Sequence, residues 1–261
     1  MALDEALTRT PDTPPTFRIY YWNSPSISIG YFQKAVEVLN TFSSTRGDVA
    51  CELASHDVKM AYKNRGTQGR TLHTFNFAPG GINLVRRPTG GTAVFHDDQP
   101  SFTLVLKTPA KVSQIYKLLG KAVIEALKSL GMDAWMWEEK DRVSSHFCTS
   151  NVSPFDVILD YKRQASSFPS HDNLNHYKYT SQGQKVAGYS ARRYQGVALF
   201  QGYFHLPVII KESSLVEALI AGMEKVTKAR LKEGSLSESE ALLTQELRHK
   251  KYLQGDWNFK R

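Results

Sequence analysis

Apolar and polar positions along this chain change period several times, and each change marks an element. Ala2 to Thr8 carries acidic and apolar residues at helical spacing and predicts a short helix, closed by Pro11, Pro14 and Pro15. TFRIYYW (16–22) is rich in aromatic and β-branched residues and SISIG (26–30) alternates; both predict strands, with Pro25 in the turn between them. VEVLNTF (36–42) predicts a helical turn. From about Ser43 to Gly81 no period is sustained, and this polar, basic stretch reads as a long excursion, in part disordered. INLVRR (82–87), TAVFH (92–96) and SFTLVLK (101–107) then predict three successive strands.

The most regular pattern follows. Ile115, Leu118, Leu119, Ala122, Val123, Ala126, Leu127 and Leu130 share one face of a helix over 112–131, with Gly131 as its C′ residue. AWMWEE (134–139) and PFDVILDYK (154–162) predict two more strands, and a second polar excursion spans 163–183. QKVAGYSARR and VALFQGYFHL predict a strand pair joined at Gly196. The tail is helical over SLVEALIAGMEKV (214–226) and again over SESEALLTQEL, where Ser237 and Glu240 have capping-box spacing. No internal repeat is present.

A chain of 261 residues can bury its core as one α/β domain, or as one domain with a small appendage. The formal net charge of +8 favours acidic partners. It is spread along the chain rather than blocked, so it does not select nucleic acid. No apolar run reaches the length of a membrane span, and the acidic, amphipathic start is unlike a signal peptide. Cys51 and Cys148 lack CxxC partners, which argues against a zinc site or a disulfide framework. A cytoplasmic location, or an organelle matrix, is expected.

Three stretches can carry chemistry. In RRPTGGTAVFHDD (86–98), INLVRR delivers Arg86 and Arg87 to a strand end, Gly90 and Gly91 turn the chain, and TAVFH brings it back. Such a loop can cradle a carboxylate, phosphate or thioester carbonyl, or it can be a hairpin turn with two surface arginines. It is no Walker loop, since no GK[ST] follows. In QKVAGYSARRYQG (184–196), Lys185 precedes Ala187, Gly188, Ser190 and Ala191, small residues that leave room for a ligand. Lys185 can donate to an acyl oxygen, or stand solvated on an edge strand. Cys148 sits in a polar loop two residues after His146. It can be a nucleophile or, as expected for Cys51, a small buried apolar residue. His146, His171 and His176 show no metal-ligand spacing, so no metal is expected.

Together these stretches resemble the lipoate–protein ligase A and octanoyltransferase family, which shares its catalytic fold with biotin protein ligase. MALDEAL is similar to the family's N-M-A-x-D-E-A-L helix, and RIYYWNSPSISIGYFQ to its R-x-Y-x-W-x-x-P-x-x-S-x-G-x-x-Q segment. RRPTGGTAVFH matches R-R-x-T-G-G-x-A-V-x-H, and KVAGYSARR matches K-x-x-G-S-A-x-R. CTSNVSPFDV resembles the C-F-x-x-P-S-x-Y-D stretch of the cysteine-bearing octanoyltransferases, and KYLQGDWNFKR the K-Y-x-x-x-x-W-N ending. Six motifs occur in order, nearly end to end.

The resemblance implies an α+β, biotin/lipoate protein ligase-like catalytic domain, with mixed and antiparallel sheets flanked by helices. It would occupy 1–210, with polar insertions at about 43–81 and 163–183; residues 211–261 would form a C-terminal helical segment packed on it. The implied activity is transfer of an octanoyl or lipoyl group to a lysine of a lipoyl domain or of the glycine cleavage H protein. Carried over by position, Arg86, Arg87, Thr89, Gly90 and Gly91 line the acyl site with His96 close behind; Gly188 and Ser190 flank it, and Lys185 contacts the acyl carbonyl.

Cys148, eight residues before Asp156, aligns with the octanoyltransferases' nucleophile, and acyl carrier protein would then be the donor with no cofactor needed. An ATP- and Mg-dependent lipoate ligase is the alternative. A third reading, a catalytically impaired paralogue that only binds acyl groups or carrier proteins, draws on three departures. Thr92 stands where Gly or Arg is usual, Gln201-Gly202 replaces His-Gly, and Met1 opens within the first motif.

Overall fold

The apolar runs of the sequence are shared between two sheets. The computed structural model describes residues 1–45, 77–78, 82–96, 99–138, 146–148, 151–160, 179–180, 183–206 and 210–260. Most of both polar excursions lies outside these residues, as do Cys51, His171 and His176.

In chain order the elements are α1 (Ala2–Arg9), β1 (Thr16–Tyr20), β2 (Ser26–Ile29), α2 (Ala35–Thr45), β3 (Phe77–Ala78), β4 (Ile82–Arg86), β5 (Val94–His96) and β6 (Ser101–Lys107). There follow α3 (Val112–Ser129), β7 (Ala134–Met136), β8 (Val157–Leu159), β9 (Tyr179–Thr180), β10 (Gly183–Tyr194) and β11 (Val197–Phe204). The chain then runs through α4 (Glu212–Thr227), α5 (Glu238–Leu247), a π-helical turn (Arg248–Tyr252) and α6 (Gly255–Asn258).

The larger sheet runs β1-β6-β11-β10-β8-β7, with β9 also on β10, and every pairing in it is antiparallel. The smaller runs β3-β4-β2-β5 and is mixed, because β2 and β4 are parallel. The fold is thus α+β with mixed and antiparallel sheets. Alternation explains the layering of the larger sheet. Phe102, Leu104, Ala198, Phe200 and Phe204 face the core made with α3 and α4, through Leu119, Val123, Leu215 and Leu219. Val105 and Leu199 point to the other face, where Leu7 of α1 covers them. The smaller sheet buries Ile27, Ile29, Ile82 and Leu84 against Ala35, Val38 and Phe42 of α2.

Several sequence expectations are met in detail. Gly131 takes φ +78° after α3, and Gln195 and Gly196 both take positive φ in the two-residue turn between β10 and β11. Ser237 and Glu240 form the reciprocal capping box of α5. Others shift. The helical turn foreseen at 36–42 is the longer α2, stabilised by the buried stripe Ala35, Val38 and Phe42. Of the strands foreseen at 134–139 and 154–162, the described residues show β7 and β8, and β8 begins only at Val157, after Phe155 adopts φ +76° and interrupts extended backbone. The turns after Leu247 are too short to show a period.

The largest correction concerns the two arginines. β4 and β5 do not form a hairpin: β2 lies between them, parallel to one and antiparallel to the other. Arg86 and Arg87 are both buried rather than on the surface. Arg86 also stays out of the cavity whose wall Arg87 joins. Its side chain donates to the carbonyls of Gly30, Tyr31 and Gln33 at 3.1, 3.1 and 2.6 Å, and to those of Trp257 and Asn258 at 3.1 and 2.9 Å. One guanidinium therefore ties the turn after β2 to the C-terminal helix α6.

Arg86→Met should strand those carbonyls without a donor and lower the free energy of unfolding by about 3 kcal/mol or more. Arg86→Lys should recover little of it, since a lysine cannot reproduce the planar fork. Urea denaturation of both variants measures this; wild-type stability in either would contradict the assignment.

Candidate active site

The glycine loop is shaped from inside by Arg87. Its Nη1 donates to the Ser28 carbonyl and to Ser28 Oγ, both at 2.8 Å; its Nη2 donates to the carbonyls of Gly90 and Thr92 at 3.0 and 2.8 Å. Gly91 takes φ +82°, and a Cβ on Gly30 would fall 1.8 Å from the Gly91 carbonyl oxygen, so the loop packs backbone to backbone on the end of β2. Among the described residues no carboxylate pairs with Arg87; the ionisable groups around it are Cys148, Tyr20, Tyr203 and His96. Its Nε is buried without a hydrogen-bond partner.

Behind this loop lies a cavity of about 130 Å³, whose wall includes Arg87, Gly91, Thr92, His96, Cys148, Asp156, Ser190 and Tyr203. Cys148 reaches it on a short segment that docks on the strand after the loop. The Ala93 amide donates to the His146 carbonyl at 2.8 Å, and the Cys148 amide to the Ala93 carbonyl at 2.6 Å. His146 itself is exposed, with Glu37 as a charged neighbour.

Lys185 meets Cys148 from β10. The β10–β8 register shifts between Lys185 and Ala187, and this irregularity accompanies the inward turn of a side chain only 3% exposed. Its Nζ lies 2.7 Å from Asp156 Oδ2, and 3.1 and 2.9 Å from the carbonyls of Cys148 and Asn151. The Cys148 Sγ is 3.3 Å away. Burial pushes the ammonium's pKa down, but the charges of Cys148 and Asp156 outweigh it and hold the group above the usual lysine range. Lys185 is a cation here, and Asp156, which also accepts from the Ser153 amide at 2.7 Å, is its counter-ion. Gly188 is needed beside them, since a Cβ there would stand 2.9 Å from Lys185 Cε.

A buried chain of hydrogen bonds closes the far side. Ser190 Oγ donates to Thr89 Oγ1 at 2.9 Å, Thr89 to Gln201 Oε1 at 2.8 Å, and Gln201 Nε2 to Asp4 Oδ2 at 2.6 Å. Asp4 pairs in turn with Arg18. His96 is stacked on Trp22 at 4.2 Å and bonded to Ser28 Oγ at 2.7 Å. Burial, with Arg87 and His205 nearby, holds its imidazole well below the ordinary 6.5, so it is neutral.

The fold thus brings Arg87, Gly91, His96, Cys148 and Ser190 into the cavity wall, sets Thr89, Gly90, Lys185 and Gly188 directly behind it, and leaves Arg86 out. Asn151, Gln201 and Tyr203 are additions. Alternation along VALFQGYFHL could have found two of them: Gln201 and Tyr203 share a face of β11, opposite Phe200 and Phe204. Nothing in the sequence marks Asn151, which acts through its backbone. Among the described residues no three His, Cys, Asp or Glu side chains gather as metal ligands, and no helix is long and apolar enough to cross a membrane.

The His96 imidazole binds its proton more readily in the unfolded chain than in the fold. Stability contributed by its neutral form is therefore present above about pH 6.5 and lost as pH falls below it, by up to about 1.4 kcal/mol per pH unit. Urea titrations between pH 7.5 and 5 should show a shallower slope in His96→Gln than in the wild type. Equal slopes would mean that His96 titrates normally.

Residues 1–248 match the model of the lipoyl protein ligase A/B catalytic domain, so the match runs on through α4 and α5. Octanoyltransferase LipM of Anoxybacillus flavithermus is 28% identical, across all of this chain and 93% of its own length. That of Geobacillus kaustophilus is 26% identical with the same coverage. A crystal structure of lipoate-protein ligase A bound with ATP has a TM-score of 0.65 at 21% identity, covering 99% of this chain and 92% of that one. A bipartite lipoate protein ligase from Thermoplasma acidophilum, described with its E2 lipoyl domain, has a TM-score of 0.61 at 20% identity, covering 99% and 89%. These structures share the fold, and the family model spans nearly every element that builds the cavity. The chain belongs to the lipoyl protein ligase A/B catalytic domain family.

Proposed function

We propose that this protein is an octanoyltransferase that moves an octanoyl group from acyl carrier protein to a lysine of a lipoyl domain through a thioester on Cys148. The observation that carries the reading is the contact of 3.3 Å between Lys185 Nζ and the Sγ of Cys148, a residue of the cavity wall. Relatives named octanoyltransferase, alike over the whole chain, support it. So does the net charge of +8, which suits acidic carrier and lipoyl domains. A cytoplasmic or matrix setting goes with such partners.

In the first step Cys148 Sγ attacks the carbonyl carbon of the donor thioester. A bond from Sγ to carbon forms, the bond from carbon to the carrier's sulfur breaks, and the carrier thiol departs with the proton that Cys148 gave up. In the second step the lipoyl-domain amine attacks the same carbon. An amide forms as the bond from Sγ to carbon breaks, and Cys148 regains a proton from the amine. Lys185 fixes the Cys148 segment through two carbonyls and keeps a positive charge at the sulfur, while Asp156 keeps Lys185 in place. No nucleotide is consumed. Thr92 and Gln201 are built into the site, Thr92 through its carbonyl on Arg87 and Gln201 through the bonds to Thr89 and Asp4. That favours a working site over an impaired one.

Incubation with octanoyl-acyl carrier protein, without ATP, should add one octanoyl group to the protein by intact mass, and Cys148→Ala should abolish it. Lys185→Met should slow acylation by about 100-fold or more. Transfer that survives Cys148→Ala would sink the thioester route. Pyrophosphate release with lipoate and ATP, indifferent to Cys148→Ala, would establish the ligase instead.

A further inference from the structure

Attack on a thioester turns the carbonyl oxygen into an oxyanion, and something must donate a hydrogen bond to it. The two obvious donors are already spent. The Cys148 amide is given to the Ala93 carbonyl at 2.6 Å. An ammonium has three hydrogens, and Lys185 Nζ has four acceptors within reach before any ligand arrives: Asp156, the Cys148 and Asn151 carbonyls, and Cys148 Sγ.

Among the described residues of the wall, one buried hydroxyl makes no well-formed hydrogen bond. Tyr203 is 5% exposed, its Oη is buried without a well-formed hydrogen bond, and the side chain lines the cavity against the Cys148 thiol. Its ring lies beneath Lys185, with Nζ 5.9 Å from the centroid. Buried hydroxyls without a partner are rare in native folds, and one that faces a nucleophile in a cavity awaits an acceptor.

We propose that Tyr203 is a catalytic residue that donates its phenolic hydrogen to the carbonyl oxygen of the octanoyl thioester as Cys148 attacks. This deepens the thioester reading of the site and rests on it. The carbonyl π pair moves onto oxygen as the Sγ–carbon bond forms, and returns as the carrier's sulfur leaves. The phenol proton stays on Tyr203 throughout, so nothing is gained or lost at that residue. Burial first, and then the charges of Cys148 and Asp156, push the phenol well above its usual range and keep it protonated for this role. The same donor serves the second step, when the lipoyl-domain amine attacks.

The test compares two reactions of Cys148 in Tyr203→Phe. Acylation by octanoyl-acyl carrier protein passes through an oxyanion; alkylation by iodoacetamide is a displacement that does not. Single-turnover acylation should slow by about 100-fold while the alkylation rate stays at the wild-type value. The melting temperature should change little, because the hydroxyl removed faces only the Cys148 thiol and makes no well-formed hydrogen bond. An acylation rate within about threefold of wild type would overturn the proposal and pass the role to the unpaired Arg87 Nε. Parallel loss of both rates would overturn it too, since Tyr203 would then act on the sulfur. A variant that fails to fold would show that the hydroxyl is structural. A wild-type protein that forms no acyl-enzyme at all would instead bring down the thioester reading, which is a separate outcome.

Discussion

A lysine ammonium enclosed at 3% exposure is the constraint around which this site is built. Moving such a cation out of water costs several kcal/mol unless charge and hydrogen bonds replace the solvent. Asp156 supplies the charge, and the carbonyls of Cys148 and Asn151 supply the remaining acceptors. Satisfying that one group draws Cys148, Asn151 and Asp156 against β10, requires the absent Cβ of Gly188, and accompanies the irregularity in β10–β8 pairing. The position of the Cys148 thiol follows from the solvation of its neighbour.

The same economy governs the two arginines. Neighbours at a strand end point to opposite sides, so identical residues receive opposite duties. Arg86 turns toward α6 and gives its hydrogens to five backbone carbonyls. Arg87 turns inward, ties the glycine loop to Ser28, and leaves a positive charge beside the thiol. The Cys148 thiol therefore has two fixed cations beside it, Arg87 and Lys185. They are preorganised by bonds that serve the fold.

Periodicity disclosed most of the elements because each sheet face and helix stripe has one apolar side; the eight-residue stripe of α3 and the capping box of α5 are cases in point. Strand order was not legible. The parallel pairing of β2 with β4 joins segments separated by the first polar excursion, and no local pattern encodes it. At the site, the motifs named Cys148, Lys185 and the glycine loop. They could not tell Arg86 from Arg87, because that distinction depends on which side of β4 carries the C-terminal turn. Tyr203 escaped notice for a different reason. A tyrosine among aromatic strand residues reads as core, and only an unsatisfied hydroxyl in three dimensions sets it apart.

The most direct measurement is a crystal structure of the protein after reaction with octanoyl-acyl carrier protein, with no acceptor present. The account predicts an octanoyl thioester on Cys148 Sγ, its carbonyl oxygen within hydrogen-bond distance of Tyr203 Oη, and Lys185 still bound to Asp156 and the two carbonyls. An octanoyl group on Lys185 Nζ, or a Lys185 released from Asp156 to bind the acyl oxygen, would contradict it.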